Sequence, residues 1–230
     1  MGEKLIPLFL FLQAMKSKVS SDLPLYVAIT GGIGTGKSIV AKVFEKNGAQ
    51  VFRADDVAKD LMRSDPVVRE ALQVNFGKKA YTAFGDLDTK YIASQVFGDS
   101  EKLTVLNSIV HPAVQRSLDE AMEKSSAPMF VMDAALVYEV GIEDLFDYIV
   151  VVDAEENTRI ERVAQREGMA VKEVQQRMES QISQSEKADA ADFVLANNGT
   201  PEELEIAAAE LHALIMHLPK RNTLEQLETI

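Results

Sequence analysis

Nine consecutive residues, Thr30–Ser38, read TGGIGTGKS and place four glycines before a lysine. They follow the apolar run Leu25–Ile29 and precede SIVAKVFEK, a stretch with helical periodicity. Glycine costs stability inside regular structure, so such a cluster marks backbone that must take shapes other residues resist. The spacing G-x-x-x-x-G-K-[ST] is met by Gly31, Gly36, Lys37 and Ser38, between a strand and a helix. That context predicts a phosphate cradle. Main-chain N–H groups converge where no Cβ blocks them, and the helix start adds its own free N–H groups and dipole. We expect the amides of Gly34, Thr35, Gly36, Lys37, Ser38 and Ile39 to meet a nucleoside triphosphate. Lys37 would bring charge to its β- and γ-phosphates, and the Ser38 hydroxyl would hold Mg2+.

The rest of the chain fits a sheet around this loop. Short apolar runs recur at Leu25–Ile29, Gln50–Phe52, Met129–Met132, Tyr148–Val152 and Phe193–Leu195, with helical patterns between them. Several lack alternation, as strands buried on both faces do. The expected fold class is α/β: a three-layer P-loop NTPase fold with a five-stranded parallel sheet. Residues 55–126 read as several helices with a turn-rich stretch at Gly77–Asp88. Residues 155–190 read as two polar helices broken near Gly168. Both look like insertions on a single domain spanning 23–218. Thr200, Pro201 and Glu203 announce the last helix through a capping box.

The 36 acidic residues outnumber the 24 basic ones, for a net charge of −12. Such a chain is a poor partner for nucleic acid or an anionic membrane. Cysteine is absent, which removes disulfides and thiolate sites and suits a cytoplasmic location. The apolar stretch Leu5–Leu12 follows Lys4 as in an export signal, but it is too short to span a bilayer and lacks a small-x-small cleavage site. Residues 1–22 read as an extension outside the domain, with Met15 an alternative start. Residues 219–230 read as a frayed polar tail. The sequence leaves the oligomeric state open.

Two further features bear on chemistry. Asp55 follows the second strand, near the cradle edge of an open α/β sheet. It can serve as a general base toward an attacking hydroxyl, or simply cap a helix. Arg159, Arg162 and Arg166 share one helical face, with Glu161 and Glu167 elsewhere; Arg177 and Gln181 follow on the next helix. This stripe suits either a lid that closes on phosphates or a solvated face. Asp133 and Asp153 end apolar strands, and Asp133 is the favoured indirect support for Mg2+.

In combination, TGGIGTGKS, ADDVAKDL, LNSIVHP, LVYE, the R-x-x-x-R and R-x-x-x-Q pairs and NNG resemble the dephospho-CoA kinases over about Tyr26–Leu211. The resemblance implies transfer of the ATP γ-phosphate to the ribose 3′-hydroxyl of dephospho-CoA, with Mg2+. It implies that Asp55 is the general base and that the 55–126 insertion binds the acceptor. His111, beside a Pro112 that suits the first turn of a helix, would contact that acceptor or else serve as a capping or packing residue, and Glu139 would reach the acceptor or the metal. Arg162 and Arg166 would be lid arginines over 155–190. Asn197 would sit beside the adenine, in a loop turned by Gly199. Arg53, Thr89 and Ala135 depart from the family pattern and bear on acceptor binding. Ile39 also departs, with its N–H still expected to serve the α-phosphate. Rival readings are another P-loop nucleoside or nucleotide kinase and a non-catalytic ATP-binding regulator. No N-K-x-D guanine signature is present.

Overall fold

The computed structural model describes residues 24–96, 98–179 and 181–221. The expectations for residues 1–22 and for most of the C-terminal tail lie outside them. The described chain runs β1 (Leu25–Thr30), α1 (Lys37–Lys46), β2 (Gln50–Arg53), α2 (Ala54–Ser64), α3 (Pro66–Phe76), α4 (Thr89–Val96), α5 (Ser100–Lys124) and β3 (Met129–Asp133). There follow β4 (Tyr148–Asp153), α6 (Glu156–Glu167), α7 (Val171–Glu179), α8 (Gln184–Asp189), β5 (Phe193–Ala196) and α9 (Pro201–Ile215). The chain forms two compact units, one of residues up to Phe52 and from Ser125 onward, the other Arg53–Lys124.

The first unit holds a five-stranded parallel sheet in the order β2-β3-β1-β4-β5. β1 sits at its centre, pairing β3 through Ile29↔Asp133 and β4 through Thr30↔Val151. The inner strands β1, β3 and β4 are buried along almost their whole length, whereas the edge strands β2 and β5 are only partly covered. Burial on both faces explains why the inner strands read as unbroken apolar runs. Val27, Ile29, Val131, Val150 and Val152 pack with Val40 and Phe44 of α1 and with Leu204, Ala208 and Ile215 of α9. The capping box of α9 forms: Glu203 N–H donates to Thr200 Oγ1 at 3.2 Å and Thr200 N–H to Glu203 Oε2 at 2.8 Å.

The start of the tail is fastened rather than frayed. Tyr148 Oη donates to Pro219 O at 2.5 Å, and Arg221 lies 4.7 Å over the Tyr148 ring and pairs with Asp192.

The second unit is helical around Val68, Leu72, Phe76, Ile92 and Ala113. Asp65 caps α3, accepting from Val67 and Val68 N–H ahead of Pro66. In the turn-rich stretch, Tyr81 forms a bridge with Leu87, and Arg69 stacks 4.2 Å over the Tyr81 ring while donating to Gly85 O. Thr89 opens α4. One expectation fails here. Pro112 does not open a helix but lies inside the 25-residue α5. Its ring faces outward, and the carbonyl it cannot serve belongs to Ser108, which is exposed and can bond water.

Candidate active site

The chain leaves β1 into the glycine loop because pairing with β4 ends at Thr30↔Val151. Gly31 has φ 143°, and a Cβ there would lie 2.4 Å from Val152 O. Gly36 has φ 97°, and a Cβ would lie 2.4 Å from Asn197 Nδ2. Both positions therefore exclude side chains on conformation and on space. Thr35 is buried and folds inward, its Oγ1 donating to Gly32 O at 2.9 Å. Gly36 is the N-cap of α1 and, having no side chain, supplies no side-chain capping bond to that helix start. Lys37 reaches back across the loop to donate to Gly31 O at 2.7 Å. Ser38 is exposed in the first turn.

Ile39 departs from expectation. Its N–H donates to Gly36 O at 2.9 Å, closing the first turn, so this amide is committed within the helix.

The arginines of α6 do not act as one stripe. Arg159 is 6% exposed and donates from Nε to Ile33 O at 3.2 Å. Burial lowers its pKa, opposed by the carboxylates of Asp153 and Glu156. Arg162 donates to Asn197 O at 3.1 Å. Arg166 does not stand clear of acids as the sequence suggested: it pairs with Glu167 at 2.5 Å, and Arg177 of α7 pairs with the same carboxylate at 3.0 Å. Burial would raise the Glu167 pKa, but its bonds and charges with Arg166 and Arg177 outweigh that and hold it low. Ile160 and Val163 of α6 pack with Val174 of α7 and with Ile33 of the glycine loop. Gln181 lies beyond α7 rather than on it, and residues 184–189 form a third helix.

Asn197 is a brace. It is buried, and its Nδ2 donates to Thr35 O at 2.8 Å. Gly199 does not make the tight turn through a positive φ; a Cβ there would lie 1.9 Å from Glu203 Oε2, so a side chain would have to displace that carboxylate from the capping box. Glu139, past β3, pairs with Lys187 Nζ at 2.7 Å, and its Oε1 accepts from Ile182 N–H at 3.0 Å. Its Oε2 is buried without a hydrogen bond. Lys187 is fully buried and also donates to Ala135 O at 2.9 Å.

Asp55 and His111 belong to the second unit. Asp55 lies in the first turn of α2, two residues past the end of β2. It is not the helix cap: the N-cap is Arg53, without a side-chain capping bond. His111, on α5, presents surface to solvent, yet desolvation by the surrounding protein lowers its pKa.

Sequence reasoning missed Gln184 and Lys187. The signal was available in Ser183–Glu186, an S-x-x-E capping box that announces α8. Among the described residues no helix is long and apolar enough to cross a membrane.

The dephospho-CoA kinase (CoaE) family model matches residues 25–203. The dephospho-CoA kinase of Salinibacter ruber is 39% identical over 189 residues, 81% of this chain and 95% of that protein. That of Thermobifida fusca is 36% identical over 188 residues, 81% and 94% of the two chains. The crystal structure of TT1252 from Thermus thermophilus superposes with a TM-score of 0.73 at 33% identity, covering 86% of this chain and 99% of that one. The dephospho-CoA kinase structure from Campylobacter jejuni shares the fold, with a TM-score of 0.55 at 21% identity over 83% of this chain and 96% of that one. With a glycine loop at the centre of a parallel sheet, and relatives matched over nearly their whole length, this chain belongs to the dephospho-CoA kinase family of ATP-dependent phosphotransferases.

Proposed function

We propose that the chain transfers the γ-phosphate of ATP to the ribose 3′-hydroxyl of dephospho-CoA. The observation that carries this is the uncapped start of α1 behind Gly31 and Gly36, with Lys37 folded over the loop, in a chain of this family. The amides of Gly34–Ser38 bind the phosphates, and Lys37 exchanges a neutral carbonyl for an anion, which strengthens its hydrogen bond. Ile39 contributes through the helix turn that its N–H closes. Asn197 serves ATP by fixing Thr35, beside the loop that takes the adenine.

The hard oxygen donors present suit Mg2+: the exposed Ser38 hydroxyl, and Asp133 at the end of the strand paired to β1. Bound there, Mg2+ would offset charge on the β- and γ-phosphate oxygens. Arg162 and Arg166 offset charge on the transferring group, Arg166 by giving up part of its pairing with Glu167. Asp55 accepts the proton of the attacking hydroxyl. The 55–126 segment, with His111, and the partly unpartnered Glu139 hold the acceptor, and 155–190 closes over the phosphates. The reaction belongs in the cytoplasm, where ATP is made.

ADP release from MgATP, measured with dephospho-CoA, AMP, adenosine or no acceptor, tests the assignment. Stimulation by dephospho-CoA is expected. Stimulation by AMP alone would indicate a different nucleotide kinase, and no stimulation by any acceptor would indicate a regulator.

A further inference from the structure

Pairing between β1 and β4 stops at Thr30↔Val151, one residue before the glycine loop. The next two main-chain groups, Gly32 N–H and Val152 O, belong to buried residues and need partners. One side chain serves both. Gln184 Oε1 accepts from Gly32 N–H at 2.9 Å, and Gln184 Nε2 donates to Val152 O at 2.9 Å. The carboxamide thus stands in for the peptide group that would have continued the sheet. Val152 O is also the atom that a Cβ on Gly31 would strike at 2.4 Å. One residue further on, Ile33 N–H donates to Gln181 Oε1 at 3.2 Å, and Ile33 O accepts from Arg159 Nε at 3.2 Å.

We propose that Gln184 is a positioning residue for phosphoryl transfer: its carboxamide bridges Gly32 N–H to Val152 O and so fixes the entry of the glycine loop. It touches no reacting atom and acts through the loop's backbone, so the proposal rests on that loop being the ATP cradle. The chemistry is selective. The position requires one donor and one acceptor on a planar group; glutamate has no donor there, and an aliphatic chain has neither. The carboxamide is aimed by α8, whose start is fixed by the Ser183–Glu186 capping box.

The test compares Gln184→Glu, Gln184→Met and Lys37→Ala with the wild-type chain. Binding of a fluorescent ATP analogue is measured with KM for each substrate, kcat and Tm. Gln184→Glu leaves Val152 O facing a second acceptor, so nucleotide affinity should fall roughly tenfold or more. KM for dephospho-CoA should stay within about twofold of the wild-type value. Gln184→Met, with no added charge, should weaken nucleotide binding as well, and it carries the test if the glutamate variant does not fold. Lys37→Ala should abolish nucleotide binding. If it does while both Gln184 variants bind the analogue like the wild type, or lose only Tm, the positioning role is wrong and the cradle stands. If Lys37→Ala binds normally, the cradle is wrong and the positioning role falls with it.

Discussion

Lys187→Met should cost this protein about 3 kcal/mol of stability, a magnitude that follows from one buried ion pair. Lys187 is fully buried, and its Nζ is held by Glu139 at 2.7 Å and Ala135 O at 2.9 Å. Removing one partner of a buried pair strands the other charge, at about 3–5 kcal/mol. The lower end applies because the Glu139 side chain keeps 16% exposure and can turn toward water. Ala135 O is not orphaned, since Thr30 Oγ1 still donates to it at 3.3 Å. At roughly 2–4 °C per kcal/mol for a protein of this size, Tm should fall by about 6–12 °C. Glu139→Gln keeps an acceptor for Ile182 N–H while removing the charge, so the double variant Lys187→Met/Glu139→Gln should recover most of the loss. Urea unfolding followed by far-UV circular dichroism supplies the cycle. A Lys187→Met variant within about 0.5 kcal/mol of the wild type, or a double variant whose loss equals the sum of the singles, would refute the buried-charge argument.

Gly31→Ala should abolish ATP binding with little change in helix content, because its Cβ would meet Val152 O at 2.4 Å; titration with the fluorescent nucleotide reads this directly. His212 packs its ring 5.1 Å from that of Phe44, and burial lowers its pKa. A depressed folded-state pKa means the unfolded chain takes up protons first as pH falls below about 6.5, so stability drops there until the folded form also titrates. Since His111 shifts the same way, His212→Leu should make the Tm decline between about pH 7 and 5 shallower rather than abolish it; an unchanged slope would remove His212 from the account. Asp55→Asn should lower kcat by about 10²–10⁴ while leaving ATP affinity nearly unchanged, and an active Asn variant would remove Asp55 from the base role.

The strands and the glycine loop between β1 and α1 were legible because their signals are local. Each strand nevertheless extends one residue beyond its apolar run. At Thr30, Arg53, Asp133 and Asp153 the chain turns polar, and at Ala196 small, while the strand continues. Hydropathy therefore marks the apolar stretch of a strand rather than its end; Thr30 is polar and yet fully buried. What the sequence hid were partnerships between distant residues. Asn197 bracing Thr35, Gln184 bridging Gly32 and Val152, and Lys187 meeting Glu139 all join segments that only the fold brings together. Glu167 is instructive in another way. Helical geometry separates it from the arginine face, yet it follows Arg166 directly at the end of α6, where long side chains can fold around the terminus to meet. Pro112 was misplaced because proline favours a helix start, while an outward-facing ring over a solvated carbonyl is also tolerated.

The most direct measurement is the structure of the product. Wild-type protein with MgATP and dephospho-CoA should yield ADP and a new phosphomonoester in equal amounts, with phosphorus NMR placing the phosphate on the ribose 3′-oxygen. ADP accompanied only by inorganic phosphate, or a phosphate on any other oxygen, would contradict the account.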